Sequence, residues 1–257
     1  MTVKDKILQG RTYLGIELGS TRIKAVLIDD SFSVIASGSK QWENRFENGC
    51  WTYSLDDIHG GIQACYKDLA ENVKAQYGIY PETYGAMGIS AMMHGYMAFD
   101  KNDKLLVPFR TWRNTMTAQA AGELTKLLGF NIPQRWSIAH LYQAVLNKEA
   151  HVPHIAYINT LAGYVHKRLT DRFEVGVGEA SGIFPVEGIG YKKEYLELTE
   201  KSLAEKGFDH KLKDILPAVR NAGEKGAALT EEGARFLDPE GHLKAGVPVC
   251  PPEGDAG

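Results

Sequence analysis

The stretch that most limits how this chain can fold is its beginning. Residues 13–18 and 22–29 are two strand-like runs flanking a tight turn built on Gly19 and Ser20, and 33–39 supplies a third after the Asp29-Asp30-Ser31 turn. Three successive strands joined by short turns predict an antiparallel meander. Such an opening disfavours a Rossmann-type dinucleotide fold, in which the first strand runs straight into a helix. Residues 1–11, polar with little apolar content, read as a loose arm or a short helix before the first strand.

The first turn is also the first chemically suggestive site. Its backbone N–H groups and the hydroxyls of Ser20 and Thr21 are suited to a phosphate, and Glu17 just before it is within reach of a metal-bound water. A plain hairpin with a capping Ser/Thr is the alternative. No Gly-x-x-x-x-Gly-Lys-Ser/Thr occurs, so the chain is not a P-loop protein.

Downstream, Ser54 with Asp57 three residues on forms a capping-box-like pair. Ile58, Ile62, Cys65, Leu69 and Val73 then recur at helical spacing, which predicts an amphipathic helix of about five turns ending near Gly78. Residues 84–91 form a short apolar strand expected to be buried on both faces, and 92–100 pass through Gly95 back into a strand. Helices follow at 115–128, 138–148, 159–169, 193–206 and 230–234, and a strand at 246–249 leads into Gly254-Asp255-Ala256-Gly257. An Asp between glycines has nearly unobstructed access to a ligand, although a solvated turn is the commoner use of such a pattern. His151 and His154 have no carboxylate or third ligand nearby, so they suggest a turn with exposed imidazoles and no metal.

Composition narrows the function. With 44% hydrophobic and 24% charged residues the 257-residue chain is of ordinary globular make-up, with ample material for a core. The formal charge of -3 with scattered Lys and Arg excludes a nucleic-acid-binding face. No apolar run is long enough to span a membrane, and the N-terminus lacks the apolar stretch of a signal peptide. Three widely spaced cysteines fit neither a disulfide framework nor a zinc knuckle, so a reduced, cytoplasmic setting is expected.

The β-β-β-α-β order is that of the ribonuclease-H-like, actin-type ATPase half. Residues 13–29, 84–100, 110–114 and 247–257 together resemble the N-terminal, sugar-binding domain of the FGGY carbohydrate kinases, closest to the xylulokinase-like branch. The resemblance implies an α/β fold with a mixed sheet opening in a three-strand antiparallel meander and helices on both faces. It implies an N-terminal arm at 1–11 and one domain at 12–257, with the family's second, adenosine-binding domain lacking. The chain alone is then expected to bind sugar weakly and turn over negligibly.

It also assigns residues. The family's Asp-x-Gly-Thr-Thr/Ser hairpin, which binds ATP phosphates and Mg²⁺, matches Glu17-Leu18-Gly19-Ser20-Thr21, with Glu for Asp, and Lys24 falls where the family often has Lys or Arg. Met93 and His94 match the loop that lines the sugar site. Trp112 matches the indole that packs on the sugar. Arg113 stands where the family more commonly has Asn, which implies a shifted sugar preference or a partly anionic substrate. Arg135 and Trp136 lie where other members contact substrate. Gly178-Glu179-Ala180-Ser181-Gly182 resembles Ser-Asp-Ala-x-Gly, a segment expected to pass beneath the sugar loop. Asp255 matches the general base.

The implied activity is ATP-dependent phosphorylation of a ketose or related sugar; xylulose, another ketopentose and a deoxy-sugar all fit a Met-His-Trp pocket with an added Arg. The implied partners are a small sugar and, since related kinases often pair, a second subunit, with no nucleic acid or membrane. A non-catalytic sugar-sensing or scaffolding module on the same fold is the rival expectation. An actin- or Hsp70-like ATPase is disfavoured, because those lack the Met-His-Gly and Trp loops.

Overall fold

The computed structural model describes residues 1–224 and 226–256; Lys225, within the 223–229 run, and Gly257, the last residue of the expected terminal turn, lie outside the described residues. The chain opens with helix α1 (Val3–Leu8), begun by a Thr2/Asp5 capping box and docked through Ile7 on the core. Then come β1 (Thr12–Leu18), β2 (Arg22–Asp29) and β3 (Val34–Gln41), paired antiparallel in the expected meander, with Thr12 opposite Asp29 and Leu18 opposite Ile23. A small hairpin, β4 (Arg45–Glu47) and β5 (Cys50–Thr52), leads to α2 (Leu55–Tyr77). That helix starts at the full Ser54/Asp57 capping box and stops at Gly78, whose φ of 75° is the left-handed conformation glycine adopts without a Cβ clash.

Strand β6 (Ala86–Ala91) returns beside β1 in parallel, Tyr13 opposite Ala86 and Leu18 opposite Ala91. After β7 (Met97–Phe99) come α3 (Ala118–Leu128), α4 (Ser137–Leu146), β8 (Tyr157–Asn159), α5 (Leu161–Thr170), β9 (Glu174–Gly176) and α6 (Val177–Ala180). The remainder is α7 (Lys193–Ala204), α8 (Leu212–Ile215), β10 (Ala218–Arg220), β11 (Ala227–Ala228), α9 (Glu231–Leu237), β12 (Pro248–Val249) and β13 (Glu253–Gly254). The main sheet is mixed, in the order β11-β12-β6-β1-β2-β3, with β13 extending the parallel pairing along β6. Helix α3 begins later than the sequence predicts, at Ala118, and the hydroxyl of its N-cap residue Thr117 donates to the Gln134 carbonyl and makes no cap bond.

Two cores follow from this order. In one, Leu14, Ile16, Leu18, Ile23, Ala25 and Leu27 of the meander face Ile58, Ile62, Cys65, Leu69 and Val73 of α2, with α5 and α9 packed beside it. Each fully buried Leu, Ile or Val among these contributes about 1.5–3 kcal/mol. In the other, α3, α4, α7 and α8 close around Tyr96, Leu124, Ile138, Phe184 and Leu203. The opposite face of the meander is open, with Tyr13 40% and Val26 37% exposed. This corrects the expectation for 84–91. Met87, Ile89 and Ala91 are buried, whereas Ala86, Gly88 and Ser90 are only half-buried, because alternate residues of β6 face a cavity of about 530 Å³ on that open side.

Sheet and helix approach closely at Gly38 of β3. A Cβ there would lie 2.4 Å from the Leu69 nitrogen and 2.5 Å from the Cys65 carbonyl oxygen of α2. Gly38→Ala must therefore push strand and helix apart and is expected to lower unfolding stability by about 1–3 kcal/mol. A urea midpoint unchanged from wild type would show that this approach tolerates a methyl group.

Candidate functional site

The site forms where β1, β6 and β13 end together. The Met92 N–H donates to the Leu18 carbonyl at 3.0 Å, which pins the loop leaving β6 to the end of β1. His94 (φ 69°) and Gly95 (φ 87°) then reverse the chain in the left-handed region. That conformation is uncommon for a non-glycine residue and persists where its surroundings enforce it. Here the Gly95 N–H donates to the Arg135 carbonyl (3.1 Å), and the Ser137 hydroxyl donates to the Gly95 carbonyl (2.6 Å).

β13 delivers Asp255 to the same place. Its N–H donates to the Ala91 carbonyl at 2.8 Å, and its Oδ1 accepts from the Met93 N–H at 3.2 Å. The loop carrying Trp112 comes from the other core. Asn114 fastens it to β5, accepting from the Trp51 N–H (2.9 Å) and donating to the Trp51 carbonyl (2.8 Å). Trp112 stays 40% exposed and donates its indole N–H to Ser20 Oγ at 3.3 Å. Together Ser20, Met93, His94, Trp112, Arg135 and Asp255 line a cleft of about 250 Å³. Segment 178–182 underlies it, since a Cβ on Gly182 would lie 2.6 Å from His94 Nδ1 and 3.3 Å from Met93 Cε.

The other expected site residues lie around this cleft. The carbonyls of Gly19, Ser20 and Thr21 are taken up by Trp42 and Tyr53, two rings stacked with centroids 4.2 Å apart. Glu17 and Lys24 are opposite each other on β1 and β2, 3.8 Å apart, and both line the 530 Å³ cavity of the open sheet face, not the cleft. The Glu17 carboxylate nonetheless reaches the turn: a Cβ on Gly19 would lie 3.2 Å from its Oε1. Arg113 turns away from the cleft, its guanidinium 3.8 Å over the Trp51 ring. Trp136 is half-buried against the second core.

Among the described residues no group of three or more His, Cys, Asp or Glu gathers into a metal-binding cluster. One carboxylate beside a Gly-Ser-Thr turn fits Mg²⁺ that arrives with phosphates and keeps its waters, and does not fit a cation caged by protein. His94 is the titratable group of the cleft with a perturbed pKa. Burial holds the imidazole below the ordinary histidine range, the Arg135 charge adds to this, and the Gly182 carbonyl and Asp255 oppose it. The Gly182 carbonyl, 3.4 Å from Nδ1, can only accept, so in the neutral ring Nδ1 carries the proton and Nε2 is the acceptor.

The chain matches the model of the FGGY family of carbohydrate kinases, N-terminal domain, over residues 12–256. It is 24% identical over 239 residues to a xylulose kinase of Haemophilus influenzae, a match covering 88% of this chain and 47% of that protein. It superposes on the crystal structure of a xyloylose kinase from Brucella ovis with a TM-score of 0.75 at 22% identity, covering 95% of this chain and 49% of that one. A gluconate kinase from Lactobacillus acidophilus gives a TM-score of 0.71 at 18% identity, over 95% and 48% of the two chains. The chain spans less than half the length of the curated relatives it matches.

The cleft's electrostatics have a measurable signature. His94 Cε1–H is expected to titrate below the usual midpoint of about 6.5. Arg135→Gln should raise that midpoint and Asp255→Asn should lower it further, both followed by proton NMR. If neither substitution moves it, the two side chains do not share a cleft with His94.

Proposed function

Since the chain belongs to the FGGY family of carbohydrate kinases, we propose that it is the sugar-binding half of an ATP-dependent kinase for a ketose or related, xylulose-like sugar, with Asp255 as general base. The observation that carries this is the convergence of Met93, His94, Trp112 and Asp255 on one cleft, with Asp255 held by the Met93 N–H at 3.2 Å.

In this reading the sugar lies on the exposed face of Trp112, where C–H groups meet an apolar ring. The neutral His94 ring offers Nε2 to a sugar hydroxyl, and Met93 packs on the carbon skeleton. One oxygen of Asp255 is oriented by the Met93 N–H, which leaves the other to take the proton of the attacking hydroxyl. A base must first be within hydrogen-bond reach of that proton, and phosphoryl transfer asks little more of the protein than position and charge. The Gly19-Ser20-Thr21 turn bounds the cleft on the phosphate side. Glu17 would offer a carboxylate to a hydrated Mg²⁺, and Lys24 would offer positive charge to the phosphates, from the open sheet face. Mg²⁺ with ATP, when bound, supplies neutralisation of the charge on the transferred phosphoryl group. Arg113, stacked on Trp51, sets the Trp112 loop, so the positive charge that reaches the sugar is that of Arg135. A sugar acid is thus worth testing beside neutral ketoses. We place this activity in a cytoplasmic protein that pairs with a second copy, as related kinases often do.

The test uses the whole protein of which this chain is the N-terminal domain. With a panel of pentuloses, hexuloses, polyols and an aldonic acid, ADP release should appear for one class. Asp255→Asn should then keep sugar binding and lose about 10²–10⁴-fold in kcat. Near-normal kcat in that variant would remove Asp255 from its role, and sugar binding without ADP release in the wild type would favour a sugar-sensing module.

A further inference from the structure

Below the cleft the structure holds a carboxyl group that the mechanism does not use. Glu179, on α6, is 0% exposed, and neither of its oxygens has a hydrogen-bond partner among the described residues. An ionised carboxylate in such a place loses its hydration with little in return beyond the nearby Thr160 side chain, a cost that a proton removes. No Lys or Arg among the described residues pairs with it.

Its position ties it to Asp255. Gly254 packs against both the Glu179 carboxyl and the Met93 side chain: a Cβ there would fall 2.8 Å from Glu179 Oε2 and 2.0 Å from Met93 Cγ. The backbone N–H of Glu179 donates to Glu253 Oε2 at 2.9 Å, so the residue grips the strand just before the Asp255 turn. Gly176, at the start of the same segment, donates its N–H to the Pro252 carbonyl at 2.8 Å and has no room for a side chain against the Glu253 carboxylate.

The groups around it set the direction of its titration. Glu253 and Asp255 face it from β13, and the Tyr191 hydroxyl, also buried without a partner, faces it from the 184–191 segment. Thr160, the N-cap of α5, opposes the rise, because its side chain favours the ionised carboxylate by hydrogen bonding. On β9 and β10, Glu174 and Arg220 are paired with each other at 2.9 Å, and His166 of α5 stands 3.5 Å from Glu174. Burial pushes the Glu179 carboxyl up to about 8, and the Glu253 and Asp255 carboxylates add to the rise.

We propose that Glu179 is a positioning residue for Asp255: its neutral carboxyl is the floor on which Gly254 rests, and loss of its proton puts a third negative charge under the turn and loosens the Met93–Asp255 bond. The sugar-phosphorylation reading gives this its meaning for catalysis, yet the device itself needs neither sugar nor nucleotide. The sign of the stability effect follows. The folded state holds a proton that the unfolded chain releases near the ordinary carboxylate range, so the contribution of Glu179 to stability is greatest below that range. That contribution falls as pH rises toward about 8 and levels off above it.

The experiment is NMR on the ligand-free 257-residue chain, so a failure here is separate from a failure of the kinase reading. The Glu179 carboxyl carbon is expected to titrate near pH 8, and the Met93 amide resonance, which reports its bond to Asp255 Oδ1, should move with the same midpoint. In Glu179→Gln, neutral at every pH, the Met93 amide should hold still from about pH 6 to 9 while remaining at its low-pH wild-type position. A carboxyl midpoint in the ordinary range would overturn the proposal. So would a Met93 amide that stays fixed while Glu179 titrates, or that titrates alike in both proteins. If Glu179→Gln does not fold, the two wild-type titrations decide by their midpoints alone.

Discussion

The site depends on the parallel pairing of β6 with β1 on one side and with β12 and β13 on the other. Parallel neighbours end at the same edge, so the loop after β6, the turn after β1 and the residue after β13 emerge side by side. Ligands of open α/β sheets gather at such carboxyl ends. Two backbone bonds fix the scale of the arrangement: Met92 to the last residue of β1, and Asp255 to the last residue of β6, at 3.0 and 2.8 Å. Strand register thus translates directly into the distance between the Met93 amide and the Asp255 carboxylate.

The meander's two faces have separate tasks. One is closed by α2, approached so nearly at Gly38 that no side chain fits between them. The other carries Glu17 and Lys24 over an open apolar cavity. Because side chains alternate along a strand, residues 17 and 18 cannot point the same way: Leu18 goes to the core and Glu17 to the open side. The Gly19-Ser20-Thr21 turn is the border between that side and the cleft. This is why Ser20 meets Trp112 while Glu17, three residues earlier, lines the neighbouring cavity.

Much of this was legible in the sequence. The meander, the Ser54-capped helix and the later helices follow from period and caps, which are local signals. Met93, His94, Trp112 and Asp255 were legible as members of one site only through their resemblance to a family, since 162 residues separate Met93 from Asp255. Arg113 was not legible as a residue facing away. Its orientation is set by Trp51, 62 positions earlier, through a stack that no short-range pattern reveals. The half-open face of β6 was misread because a run of apolar residues looks the same whether one face or two are covered. Glu179 was legible as part of a supporting segment, flanked by Gly178 and Gly182, but nothing in the sequence says that a glutamate there is wholly buried.

Gly254 joins these observations. A residue with any side chain would collide at once with Met93, which lines the cleft, and with Glu179, which lies under it. The glycine before Asp255 therefore has less to do with flexibility than with thickness. It lets the strand carrying the carboxylate lie directly against two side chains, one of them on the loop whose amide binds that carboxylate. A floor made of an unpaired buried acid costs stability that an apolar residue would not, and proteins retain such costs chiefly where position matters more than stability. Close packing at Gly254 thus adds to the two hydrogen bonds of Asp255, from the Met93 N–H and to the Ala91 carbonyl, in placing the carboxylate at the end of β13.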